Sequence, residues 1–263
     1  MSEVAAPRWF APDPGAAPLG RMIAAQAALE TRTLLRNGEQ LLLTLVIPLL
    51  LLTAFSLEPL INFGTGQSRI NFLTAGIIAL AVMSTAFTSQ AIATGFERRY
   101  GVLKRLGATP LSRGGLIAAK TATVIGVEML QGVLILLVAL AIGWRPDASP
   151  AAIVTAPVLI LLGTAAFSGL ALLMAGLLRA EATLAAANLV YIVLLGVGGV
   201  VFPLTKFPAA AQPALELLPT GALSTGLRNV LQYGAVFPVG NAVTLAVWAA
   251  VAIALAARTF RWD

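Results

Sequence analysis

Six runs of apolar residues decide what this chain can fold into. They lie near 41–57, 71–95, 114–142, 151–178, 184–203 and 238–257. Each is close to the roughly 20 residues a helix needs to cross a bilayer core about 30 Å thick. The first, LLLTLVIPLLLLTAFSL, is the shortest, and Pro48 interrupts it, which a membrane helix tolerates. The alternation of a barrel strand is absent, and lipid offers the backbone no partners, so all six are predicted to be helices. Composition agrees: 59 % of the 263 residues are hydrophobic and 11 % are charged. With a mean hydropathy of +0.90, the chain lacks the polar surface a soluble domain would need. The predicted fold class is an all-α membrane protein with six transmembrane helices.

The charges fit that reading. The net charge is +6, but the basic residues are scattered between apolar runs rather than gathered on one soluble face, which argues against nucleic acid. They behave as topology determinants. With the N-terminus inside, Arg8, Arg21, Arg32, Arg36, Arg98, Arg99, Lys104, Arg105, Arg113, Lys120, Arg179, Arg258 and Arg261 fall on the cytoplasmic side or its flank. Arg69, Arg145, Lys206 and Arg228 fall outside. The bias predicts a multi-pass protein of the cell membrane, inner or plasma, with both termini cytoplasmic. Neither Cys nor His occurs, which removes disulfides, thiolates and the usual metal ligand and general base. No metal site is expected.

Residues 1–20 hold four prolines and no apolar core, so they read as a flexible cytoplasmic tail rather than a signal peptide. Residues 21–37 place Arg21, Arg32 and Arg36 on one side of a helical wheel and Ile23, Ala27, Leu34 and Leu35 on the other; Leu29 breaks the pattern. Either an amphipathic helix on the inner membrane surface or an extension of the first span fits. The remainder, 38–263, is the six-helix membrane domain.

The densest charge cluster is FERRYGVLKRLGATPLSR, residues 96–113, between the second and third spans. It reads as a short helix over 96–106, ended by Gly107. Thr109 and Pro110 fit the N-cap and first position of the next helix. A solvated topology anchor and a docking surface for a cytoplasmic partner both suit such a helix.

The run ERRYGVLKRLGATPLSR resembles the hallmark of the ABC-2 family of transporter permeases, the membrane subunits of ATP-driven exporters such as the daunorubicin-resistance type. The carrying residues are Glu97, Arg98, Arg99, Gly101, Leu103, Lys104, Arg105, Leu106, Ala108, Thr109, Pro110, Leu111, Ser112 and Arg113. A second similarity is GVVFPLTKFPAAAQPALELLPTGALSTGLRNVLQYG, residues 199–234, where Leu217 stands at a position that is commonly Asn. The resemblance implies a type II exporter-like fold, with a cytoplasmic coupling helix over 97–112 and a re-entrant outer segment before the last span. It also implies docking residues Glu97, Arg98, Leu103, Lys104, Arg105 and Leu106, a separate ABC ATPase subunit, and a second permease, identical or related. The chain has no G-x-x-x-x-G-K-[ST] phosphate loop and no Gly-Lys dipeptide at all. It therefore carries no cofactor and no catalytic site of its own, and ATP and Mg would sit on the partner ATPase.

Within the third span, Glu128 lies roughly 18 Å into the bilayer core, with Gln131 at i+3 on the same face. A carboxylic acid there costs about 2.5–3.5 kcal/mol on insertion scales. Glu128 either cements helix packing or lines a translocation path together with Gln131 and, from span five, Asn188. Lys120 can snorkel to the headgroups. Ser84, Thr85, Thr88, Ser89 and Gln90 on span two read as packing groups. The leading function is export of a hydrophobic small molecule, drug or lipid. A secondary transporter coupling protons through Glu128, a non-transporting anchor subunit and an intramembrane enzyme are the alternatives. Inverted repeats would mark the first of these, and a paired-acid site the last; neither is evident.

Overall fold

The computed structural model describes residues 15–36, 38, 42–57, 69–146 and 148–259. Arg8, Arg261 and most of the expected tail lie outside them. All the regular elements are helical. Helix α1 spans Leu19–Arg36. Helix α2 opens with a π turn, Leu42–Val46, and continues as Ile47–Leu57. Helix α3 runs unbroken through Arg69–Arg99, with a π segment at Met83–Ser89. Then follow α4 (Val102–Gly107), α5 (Arg113–Ala141), α6 (Ala152–Leu177), α7 (Ala180–Val197), α8 (Gln212–Glu216), α9 (Pro219–Leu231) and α10 (Val239–Thr259).

Five of these, α3, α5, α6, α7 and α10, are long and apolar enough to cross a membrane. The sixth expected span is α2, whose apolar stretch Thr44–Ser56 is shorter. At 1.5 Å per residue it covers about 20 Å, less than a core of about 30 Å. The second span is longer than its apolar run suggests, because the helix continues through the charged residues to Arg99. The fifth is displaced: it occupies 180–197 rather than 184–203. The helix stops at Val197 because Gly198 and Gly199 follow, and Gly199 takes φ 69°, a left-handed turn that glycine adopts without a Cβ penalty. Val200 and Val201 then turn back into the protein and are buried.

Helix α3 is the centre. Every residue from Phe72 to Val82 is buried, whereas α5, α7 and α10 leave wide apolar faces exposed, including Met129, Leu189, Ile192 and Val247. This is the inverse of a soluble fold and suits lipid or a protein neighbour as the outer solvent. Small residues bring α6 and α10 together. A Cβ at Gly169 would lie 2.8 Å from that of Ala252, and α10 turns Ala242, Ala249, Ala252 and Ala256 inward. Such stripes let backbones approach where lipid gives no hydrophobic drive to associate.

Helix α9 is too short to span, at 13 residues, yet ten of its residues are buried. Pro219 starts it, Leu218 being the extended residue before it. Its Arg228 is 6 % exposed. The guanidinium lies 3.6 Å above the Phe72 ring, donates to Phe72 O (3.2 Å) and Val200 O (3.1 Å), and also donates to Gly199 O. One side chain thus ties α9, the start of α3 and the turn after α7. Sequence alone places Arg228 as an outer-side charge within the second motif.

Candidate functional site

The start of α1 (Met22, Ile23) meets Leu103, Leu111 and Leu116 at one end of the bundle, and Arg98 reaches the end of α6 nearby. The 96–106 helix expected there is divided. Phe96 to Arg99 belong to the end of α3, Tyr100 closes that helix, and Gly101 at φ 69° turns the chain into α4. The next helix begins later than Thr109–Pro110 suggested. Ser112 is the N-cap, accepting from Gly115 N at 3.1 Å, and Thr109 instead donates to Leu106 O at 2.6 Å. Proline at 110 follows a turn that the Thr109 hydroxyl already closes.

The six residues proposed for docking divide by environment. Leu103 is fully buried and packs with Leu111 and Leu116 of the following segment and with Met22, Ile23 and Leu106. Lys104 and Arg105, between Leu103 and Leu106, are exposed. Arg98 donates to Gly176 O and Leu178 O, both at 2.6 Å, and so satisfies carbonyls at the end of α6. Glu97 turns toward α5, where its Oε2 accepts from Lys120 Nζ at 2.7 Å; Glu30 Oε1 of α1 lies 3.4 Å from the same nitrogen. Lys120 is therefore a buried ion-pair partner, not a snorkelling side chain. Nearby, Arg99 pairs with Glu181 of α7 at the exposed surface.

Helix α1 lies along α5. Its inward stripe is Met22, Ile23, Gln26, Ala27, Glu30 and Leu34, and Ala27 O accepts from Thr123 Oγ1 at 3.2 Å. Leu35, assigned to the apolar side of the wheel, is exposed, as are Leu19 and Leu29. The Lys120 ammonium joins α1, α3 and α5 in one ionic cluster. Replacing Lys120 with Met leaves two half-screened carboxylates facing each other. The expected loss is about 3 kcal/mol, the low end for breaking a buried ion pair. It would be read as a fall in the melting temperature of the detergent-solubilised protein.

Deeper in the bundle, Gln131 bridges both π segments. Its Nε2 donates to Thr44 O at 2.6 Å, and its Oε1 accepts from Thr85 Oγ1 at 2.8 Å. A π turn widens the helix and frees a carbonyl for such a side chain. Glu128, one turn away, faces α6 instead and accepts from Thr164 Oγ1 at 2.6 Å; its Oε1 has no partner among the described residues. Asn188 is exposed on α7, and among the described residues it makes no hydrogen bond to either. The three residues assigned to one path thus face three different surroundings. The π segments had no legible signal beyond the run of hydroxyl residues in span two.

The ABC-2 type transporter family matches the chain over residues 24–232, from α1 through α9. The chain belongs to that family. The matched stretch includes both motifs, around α4 and around α9, and identifies the protein as a membrane subunit of an ABC transporter. Among curated proteins no sequence matches it significantly. The ABC-2 assignment gives the exposed basic turn of α4 a transport context. Within this permease, the half-buried Glu97 and Arg98 and the buried Leu103 hold the segment in place, and Lys104 and Arg105 are its exposed charges.

Proposed function

We propose that this ABC-2 permease subunit exports a hydrophobic small molecule, drug or lipid, driven by a separate ATPase that docks on α4. In this reading the end of the bundle bearing α4 is cytoplasmic. A second permease, identical or related, completes the pathway against the exposed apolar faces of α5 and α7. The observation that carries the reading is the anchoring of α4: a fully buried Leu103 beneath exposed Lys104 and Arg105. A surface fixed in this way transmits a displacement as a rigid body without chemistry of its own. The chain's lack of a phosphate loop requires that ATP be bound elsewhere.

The test is affinity purification from native membranes with a tag on this chain. It should recover a subunit that carries a phosphate loop and hydrolyses ATP, and recovery should fall when α4 is deleted. If ATP hydrolysis never accompanies the permease, and transport survives the deletion, the reading fails.

Glu128 is placed in this reading as a polar contact for the transported molecule, since one of its oxygens is buried without a partner. Replacing it with Gln keeps the size and the acceptor for Thr164. The expected result is a several-fold loss of export with unchanged assembly on gel filtration. Full transport by the variant would return Glu128 to helix packing alone.

A further inference from the structure

A cavity of about 290 Å³ lies between α1, α3 and α5, beside the ionic cluster. That volume is near the lower end of ligand pockets, roughly 300–1,000 Å³. Leu34, Ala93, Val102 and Val124 give it apolar walls. Its polar groups are unusual in being left over. Gln90 is 6 % exposed and Thr94 is 1 % exposed, and both line the cavity. Gln90 Oε1 and Thr94 Oγ1 are buried with no hydrogen-bond partner among the described residues. Buried polar atoms are otherwise almost always satisfied, and each orphan calls for a partner. Two orphans on neighbouring turns of α3, both on residues that line one cavity, point to a shared partner there.

The charge of the lining selects its chemistry. Glu30, Glu97 and Lys120 are the ionisable groups that line it, so two carboxylates against one ammonium leave one negative charge. An amide oxygen is an acceptor only, and a hydroxyl can accept. Together with the carboxylates they suit a group that donates several hydrogen bonds and carries one positive charge. A primary ammonium does both. The apolar walls, and Leu29 at the rim with 59 % exposure, suit an alkyl chain.

We propose that the cavity between α1, α3 and α5 is a binding site for a single-chain amphiphile bearing a primary ammonium group. Its head would donate to Gln90 Oε1, Thr94 Oγ1 and the Glu30 and Glu97 carboxylates, while its chain leaves past Leu29. Val102, the first residue of α4, lines the same cavity, so the occupant would touch the helix that presents Lys104 and Arg105. The site is defined by this chain alone and does not depend on the ATPase proposed above.

The test uses the intact permease without any ATPase, in nanodiscs of phosphatidylcholine, with dodecylammonium as probe and dodecanol and dodecyl sulfate as comparators. Native mass spectrometry should count one saturable dodecylammonium per chain and no saturable binding of the other two. Gln90→Leu with Thr94→Val should weaken it at least tenfold. Because that pair could disturb α3, Leu29→Arg serves as the second variant: it sits at an exposed rim and should weaken ammonium binding several-fold by charge alone. If phosphatidylethanolamine in the disc competes with the probe, the lipid headgroup is a source of the same ammonium chemistry, and the site stands. Saturable binding of dodecanol or dodecyl sulfate equal to the probe, or unchanged affinity in well-folded variants, would overturn the proposal.

Discussion

Replacing Arg228 with Leu is expected to destabilise the protein by about 4 kcal/mol and to release α9 from α3. Three backbone carbonyls, those of Phe72, Gly199 and Val200, receive hydrogen bonds from this guanidinium. Phe72 O keeps its partner within α3, but Gly199 O and Val200 O lose this donor, and each buried acceptor left without one costs about 1–3 kcal/mol. The stack on Phe72 at 3.6 Å adds on the order of 2 kcal/mol when desolvated. Part of the sum is returned, because Leu avoids burying a charge. A net loss near 4 kcal/mol remains, since the partners are carbonyls that stay behind when the side chain is changed. Lys keeps the charge but has one nitrogen, which cannot serve carbonyls on both sides as the planar fork does; Arg228→Lys should fall between. Gly76 tests the same cluster from α3. A Cβ there would overlap Val200 O and come within 2.7 Å of Arg228 Nη2, so Gly76→Ala should be as damaging as Arg228→Leu. Fluorescence-detected gel filtration after heating measures all three. A melting temperature for Arg228→Leu within a degree or two of the parent would show that the cluster carries little of the fold.

Why Arg228 was not legible as a fastener is instructive. From sequence, an Arg in a weakly apolar stretch outside the spans reads as one of the few outer-side charges that the positive-inside bias allows. Its role depends on the carbonyls that Gly198 and Gly199 expose when α7 ends early, and on the room that Gly76 leaves on α3. Neither is a property of the stretch around 228. The same holds for Lys120, whose partners Glu30 and Glu97 lie 90 and 23 residues away in sequence. Periodicity and hydropathy reported the long helices well, because each is a local run: 114–142 against Arg113–Ala141, and 151–178 against Ala152–Leu177. They failed where side chains from distant elements decide the boundary. The charged end of α3 continues as helix because Glu97 meets Lys120 and Arg98 meets the end of α6. Gln131 joining two π segments was likewise beyond reach, since a π turn has no periodicity to read over so few residues.

The second large effect belongs to α4, where two kinds of substitution should separate its two surfaces. Leu103 is fully buried at the centre of the small cluster with Leu111 and Leu116. Leu103→Ala removes that anchor at a cost of about 2–5 kcal/mol, but the cost falls on six residues of helix and the turn after it, not on the bundle around α3. The expected result is a permease that still assembles, still melts near the parent temperature, and loses transport at least tenfold because a loose helix cannot pass on a displacement. Lys104→Glu with Arg105→Glu changes only exposed charges, so stability should shift by no more than about 0.5 kcal/mol. Transport should again fall at least tenfold, now because the partner no longer docks: like-charge contacts at an interface cost several kcal/mol. Co-purification distinguishes them. The ATPase should be lost from the double charge reversal and partly retained by Leu103→Ala. If the charge reversal transports normally while Leu103→Ala does not, α4 is a structural strut of the membrane domain, and the docking surface lies elsewhere on this end of the bundle.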